Sequence, residues 1–260
     1  MRIIAGPCQH ESTEQSLEIA KECKWVCDQY GFEYIFKASF DKANRSHADG
    51  VRGLGLYRTV RDFRDMKAEM PDLKILTDVH TVDEIRQLAY QGSGNIVDVL
   101  QIPAFLSRQT DLIVEACKTG KIVNIKKGQW MAPSDVKNIL SKTKEAEEVW
   151  ITERGTSFGY GRLVNDFTGM HDLLVDLGSR FVYDVTHSVQ LPGGEGTHSG
   201  GNRDYVPGLC RAGAALGISS FFIEVHKDPD NAPSDGPNMI KLDNFNSVID
   251  NIDRFKHESR

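Results

Sequence analysis

Two sets of side chains, each drawn from distant parts of the chain, carry the chemistry. The first is cationic: Lys37, Lys42 and Arg45 in FKASFDKANRS (36–46), Arg108 in SRQTD, Lys126 in NIKKGQ and Arg154 in TERG. So many cations exceed what one carboxylate needs. They suit two phosphates, or a phosphate with a carboxylate. The second set is Cys8, His187, Glu224 and, further on, Asp235. A thiolate, an imidazole and carboxylates can hold a divalent transition metal. The same residues equally describe a buried thiol beside a hydrogen-bonded His–carboxylate pair, because no compact motif such as HExxH is present.

Both sets need a scaffold that brings distant segments together. Eight short β-rich runs recur along the chain: 2–8, 33–39, 74–80, 98–104, 122–127, 149–155, 180–187 and 221–226. Helical patterns lie between them, including 16–30, 59–70, 110–120, 134–148 and 208–217. Thr110 is the expected N-cap of the third of these and Gly120 its C-terminal stop; Pro133-Ser134 opens the fourth, and Gly217 ends the fifth. Strands alternating with helices imply parallel βαβ pairing. Eight such units in this length predict an α/β protein, a closed (β/α)8 TIM barrel, with residues 1–260 as a single catalytic domain. A doubly wound open sheet is the alternative, but no G-x-G-x-x-G follows the first run.

The runs end in Cys8, Lys37, Asp78 with His80, Gln101, Lys126, Arg154, His187 and Glu224. Parallel strands buried on both faces would otherwise read as plain Val, Ile and Leu. A barrel gathers all eight C-terminal strand ends around one mouth, where barrel enzymes keep their sites. Two loops add to it. LPGGEGTHSGGNR (191–203) can approach a ligand with its backbone and move on binding, and NAPSDGP (231–237) follows the last strand.

Composition narrows the partners. The 31 basic and 37 acidic residues among 260 give a net charge of −6, which argues against nucleic acid or an anionic membrane. No apolar run is long enough to span a bilayer, and MRIIAGPC is too short for a signal peptide. Five scattered cysteines, an odd number, read as reduced thiols of a cytoplasmic protein, with Cys23 and Cys27 buried on one helix.

The strand-end segments IAGPC, FKASFDKANRS, TDVH, QIPAFLSRQTDL, NIKKGQ, TERGTSFGY, DVTHSVQLPGG, SGG and IEVH span residues 3 to 237. Together they resemble the 3-deoxy-D-manno-octulosonate 8-phosphate synthases. The resemblance implies a (β/α)8 homotetramer that condenses phosphoenolpyruvate with arabinose 5-phosphate and water, in the biosynthesis of the Kdo sugar of lipopolysaccharide. It implies that Lys37 and Ser39 lie at the reacting centre and that Lys42 helps hold phosphoenolpyruvate. Lys126 and Arg154 would clamp its phosphate and carboxylate, with Gln101 and the Ala104 backbone. Asn44, Arg45, Ser46 and Ser199 would bind arabinose 5-phosphate, with Arg108 from a neighbouring subunit, and Asp78, His80 and Gln190 would line the sugar channel.

Cys8 in GPC resembles the metal-dependent class, where the metal-free class has Asn. Cys8, His187, Glu224 and Asp235 then match its four ligand positions for Fe, Zn, Mn or Co, making His187 and Asp235 catalytic beside Lys37 and Lys42. SDGPNM (234–239) departs from the S-D-A-S form of that class, and HADGVRGLG departs after KANRS. The KANRS form separates the chain from the relative that condenses erythrose 4-phosphate, 3-deoxy-arabino-heptulosonate 7-phosphate synthase. A Schiff-base aldolase using Lys126 and a catalytically silent sugar-phosphate-binding barrel are the other readings. Strand one begins at once, so no regulatory domain or feedback site is expected.

Overall fold

Each expected run forms a strand. The computed structural model describes residues 1–43, 50–90, 95–191 and 200–256. The barrel strands are β1 (Arg2–Gly6), β2 (Glu33–Lys37), β3 (Lys74–Asp78), β4 (Val99–Ile102), β5 (Ile122–Lys126), β6 (Val149–Glu153) and β7 (Phe181–Asp184). Two short strands follow, β8 (Gln190–Leu191) and β9 (Gly200–Gly201), which pair antiparallel with each other. The last barrel strand is β10 (Ser220–His226), and β11 (Ile240–Lys241) pairs with its end. Neighbours pair parallel in chain order, and β1 pairs with β10, with Ile3 opposite Phe221. That closing pair makes a barrel and rules out the open sheet.

One helix follows each barrel strand: α1 (Thr13–Gln29), α2 (Leu56–Glu69), α3 (Val82–Tyr90), α4 (Thr110–Lys118), α5 (Val136–Leu140), α6 (Phe167–Leu177), α7 (Val206–Leu216) and α8 (Phe245–Phe255). No helix among the described residues is long and apolar enough to cross a membrane. All five cysteines are free and buried.

The two-residue period of a strand decides where the chemistry goes. Ile4, Ile35, Leu76, Val99, Trp150, Val182 and Phe222 pack together, with Ile122 against them, one residue from each barrel strand. This apolar layer plugs the barrel. Residues between them, such as Ile3, Phe36, Ile75 and Phe221, pack instead in the cluster under the helices. Two residues further along each strand, on the same inward face, stand Gly6, Lys37, Asp78, Gln101, Asn124, Thr152, Asp184 and Glu224. The mouth therefore begins one pleat above the plug.

Gly6 is the one member of that upper layer with no side chain. A Cβ there would stand 2.1 Å from the Lys37 carbonyl oxygen, a backbone atom that cannot swing away. Gly6→Ala is expected to destabilise the fold by about 3 kcal/mol, the upper end for overpacking, as a lowered urea midpoint. An unchanged midpoint would show that β1 and β2 can separate freely.

Two sequence expectations need correction. Thr110 is the first residue of α4 and Gln109 is its cap, without a side-chain capping bond; Gly120 does follow the helix end in a left-handed conformation, φ +72°. The stretch 134–148 is a 3-10 turn, Pro133–Asp135, and then only Val136–Leu140. Beyond it the Ser141 and Thr143 hydroxyls donate to the Asn138 and Leu140 carbonyls at 2.8 and 3.0 Å. Such local bonds compete with helix propagation, and the polar SKTKEAEE tail offers no apolar stripe to bury. By contrast, Gly217 ends α7 in the left-handed region as expected, φ 98°.

Candidate active site

Cys8, His187, Glu224 and Asp235 converge. Their candidate ligand atoms all lie within 4.8 Å of one another. Cys8 lies two residues past β1, Glu224 lies in β10, and His187 opens the 3-10 turn after β7. The Cys8 thiol donates to Asp235 Oδ2 at 3.1 Å. Glu224 Oε1 accepts from the Lys37 ammonium at 2.6 Å. Its other oxygen, Oε2, is fully buried without a hydrogen-bond donor among the described residues and faces His187 Nε2 at 3.4 Å. An orphaned carboxylate oxygen inside an S/N/O/O donor set fits a divalent cation. Burial and the Glu224 carboxylate push the Cys8 thiol well up, which a bound cation would reverse.

SDGPNM does not displace Asp235. Its backbone is left-handed, φ 55°, uncommon outside glycine and of the kind stored at functional sites. The next residue must be glycine, since a Cβ at Gly236 would stand 2.3 Å from the Pro229 carbonyl oxygen. The departure from S-D-A-S is thus a local turn solution that still delivers the carboxylate to Cys8.

A polar chain crosses the mouth beside this cluster. Lys42 donates to Ser39 Oγ at 2.9 Å, and Ser39 and Gln101 both donate to the Asp78 carboxylate. Asn124 Nδ2 donates to Gln101 Oε1 at 2.8 Å, and Thr152 donates to Asn124 Oδ1 at 2.6 Å. On the other side Asp184 takes the Lys126 ammonium and His187 Nδ1, the latter at 2.7 Å. Lys126 also lies over the Phe222 ring at 3.5 Å.

Burial alone would raise the carboxyls of Asp78, Asp184, Glu224 and Asp235. Neighbouring groups outweigh it and hold all four below the usual carboxylate range: Lys37 and Lys42 for Asp78, His187 and Lys126 for Asp184, His187 and Lys37 for Glu224, and His187 and Lys42 for Asp235. These are structural anions at neutral pH. Burial pulls Lys126 and Arg154 down from their ordinary values. Lys42, despite burial, is driven up by Cys8 and Asp78.

Arg154 differs from the other cations. It is buried, yet among the described residues its guanidinium donates to neutral oxygens, Gln190 Oε1 and the His187 carbonyl at 3.5 Å. Among the described residues no carboxylate forms an ion pair with it. Gln190 in turn donates to Asp235 Oδ1 at 2.8 Å, linking Arg154 to the four-residue cluster.

The other expected residues have surroundings of their own. Arg108 is exposed, and its carbonyl accepts from Lys142 at 3.1 Å. Ala104 is buried at the start of a 3-10 turn, Ala104–Leu106, after β4. His80 Nδ1 lies 3.3 Å from Glu84, and its ring is edge-on to Phe40. Asn44, Arg45, Ser46 and Ser199 lie outside the described residues. Sequence reading missed Asn124, Thr152 and Asp184. Their signal was available: each stands two residues beyond an inward apolar residue, on the face that Lys37 and Glu224 share.

The barrel, its polar mouth and the S/N/O/O cluster define the class. The chain belongs to the DAHP synthetase I family, which it matches over residues 1–256. Within that family it is similar to proteins named 2-dehydro-3-deoxyphosphooctonate aldolase. That of Bartonella henselae is 47% identical over 260 residues, 99% of this chain and 91% of the relative. That of Brucella anthropi is 48% identical over 255 residues, 97% of this chain and 90% of the relative. These relatives bear out the resemblance drawn from the strand-end segments.

Proposed function

We propose that this enzyme condenses phosphoenolpyruvate with D-arabinose 5-phosphate and water, giving 3-deoxy-D-manno-octulosonate 8-phosphate and inorganic phosphate. The shared name of the relatives and the KANRS segment support this reading. The observation that carries it is Arg154, a buried guanidinium whose hydrogen-bond partners among the described residues are neutral, in the same mouth as a four-residue donor set. A dry cation with no carboxylate in ion-pair contact among the described residues is a site for a substrate anion.

Lys126 and Arg154 hold the phosphate and carboxylate of phosphoenolpyruvate, with Gln101 and the Ala104 backbone. Lys37, Lys42 and Ser39 stand at the reacting carbons. Asp78, His80 and Gln190 line the approach of the sugar. Asn44, Arg45, Ser46 and Ser199 take the sugar phosphate, joined by Arg108 of a neighbouring copy in a homotetramer; the exposure of Arg108 in the single chain agrees with that. The methylene carbon of phosphoenolpyruvate bonds to the aldehyde carbon and water adds to the adjacent carbon. The tetrahedral intermediate then breaks its C–O bond and expels phosphate. Fixing both substrates in one mouth supplies orientation, and preorganised cations stabilise charge without reorganising.

Cys8, His187, Glu224 and Asp235 would hold a divalent Fe, Zn, Mn or Co ion, which when bound supplies Lewis-acid polarisation of a substrate oxygen. The product serves the Kdo sugar of lipopolysaccharide, and the cytoplasm suits the five free thiols.

The test is phosphate release from phosphoenolpyruvate with each sugar phosphate. Release is expected with arabinose 5-phosphate, with erythrose 4-phosphate at least tenfold slower. The reverse preference would assign the chain to the sugar of the heptulosonate synthases. Borohydride added with substrates is expected to leave Lys126 unmodified; a trapped adduct there would favour the Schiff-base reading.

A further inference from the structure

Asp184 is the carboxylate in the mouth that sequence reading passed over, and it has four partners. Oδ1 accepts from the His187 backbone N–H at 2.9 Å and from the Thr186 hydroxyl at 3.1 Å. Oδ2 accepts from His187 Nδ1 at 2.7 Å and from the Lys126 ammonium. Asp184 is completely buried, at the last residue of β7, and faces inward one pleat above Val182. It therefore touches a member of each functional set while belonging to neither.

We propose that Asp184 is a two-ended positioning residue, holding the His187 ring for the metal and the Lys126 ammonium for the substrate anion with one carboxylate. An acceptor at Nδ1 fixes the proton of the neutral ring there, so that Nε2, beside Glu224, is the nitrogen offered to a metal. The turn that carries His187 starts on the other oxygen of the same carboxylate, so ring and backbone are set together. Lys126 has no second carboxylate within salt-bridge distance among the described residues, so Asp184 determines where its ammonium waits. The inference rests on the metal and phosphoenolpyruvate assignments made above.

The test is Asp184→Asn, nearly isosteric, in the full chain stripped of metal and titrated with Co2+, phosphoenolpyruvate and arabinose 5-phosphate separately. An amide in place of Oδ2 presents a donor to both groups and forces the wrong imidazole tautomer, as in the Asp→Asn variant of the serine protease triad. Co2+ affinity is expected to fall about 10–100-fold. Phosphoenolpyruvate affinity should fall about tenfold, while arabinose 5-phosphate affinity stays within about twofold. Wild-type affinities for Co2+ and phosphoenolpyruvate in the variant would overturn the proposal. An equal loss for all three ligands would also overturn it, since that marks a general loosening.

If the variant does not fold, 15N-histidine NMR of the zinc-loaded wild-type protein decides, with His187 assigned by its loss in His187→Gln. A proton on Nδ1 is expected, and a proton on Nε2 would overturn the role. Wild-type protein that takes up neither Co2+ nor phosphoenolpyruvate would instead refute the functional reading beneath the proposal.

Discussion

Cys8→Ala protein is expected to lose its divalent metal and at least about 100-fold in turnover, the several kcal/mol a Lewis-acid ion supplies at a developing charge. The reasoning starts from electrostatics. Three potential anions meet at this site, Cys8 and Glu224 buried and Asp235 partly so. As it stands the thiol is kept protonated by burial and by Glu224, while Asp235 is held ionised chiefly through His187 and Lys42. Removing the sulfur removes the softest donor and the one that discriminates transition metals from magnesium or calcium. The checks are metal content by elemental analysis and phosphate release before and after dipicolinate treatment. Wild-type activity should stop with chelator and return with added metal, whereas Cys8→Ala should respond to neither. Full activity in Cys8→Ala without bound metal would show that the cluster is only a buried hydrogen-bonded group, the alternative open at the sequence level.

Arg154→Ala is expected to weaken phosphoenolpyruvate binding about 100-fold, read by calorimetry. Charge-assisted hydrogen bonds contribute about 1.5–3 kcal/mol each, and 2.7 kcal/mol corresponds to that factor. The size follows from the Arg154 surroundings. Its partners among the described residues are a glutamine side chain and a backbone carbonyl, so none of their ion pairs must break when an anion arrives. Lys126, by contrast, must share its charge with Asp184, and Lys37 with Glu224 at 2.6 Å. Arg154→Lys should recover only part of the affinity, because an ammonium lacks the two-pronged fork. Unchanged affinity in Arg154→Ala would remove this residue from the substrate site.

The expected site residues divide according to what brings them to the mouth. Lys37, Asp78, Gln101 and Glu224 were legible because each ends an apolar run, and a closed barrel turns strand ends into one surface. Asn124, Thr152 and Asp184 were not read, though the same pleat carries them inward. In NIKKG and DVTH the conspicuous titratable residues are Lys126 and His187, which stand further along the chain than that layer. Helix limits were read less well than strands. Where a segment had no apolar stripe, as in 141–148, local hydroxyl bonds decided against a helix.

From the sequence alone came the eight strand–helix units, the two chemical sets and the expectation that both meet at one end of the barrel. Periodicity and residue type are local quantities, and barrel closure follows from repeating one unit eight times. Tertiary structure alone decided which cation has no carboxylate in ion-pair contact among the described residues. Lys37, Lys126 and Arg154 look alike in sequence; only the packing of β7 and β10 gives the first two their carboxylates, while the described partners of Arg154 are neutral oxygens. It also decided that Asp235 still reaches Cys8 despite its altered loop, and that Asp184 joins the two sets. Those outcomes depend on distances of a few ångströms between residues up to 227 positions apart, which no local pattern encodes.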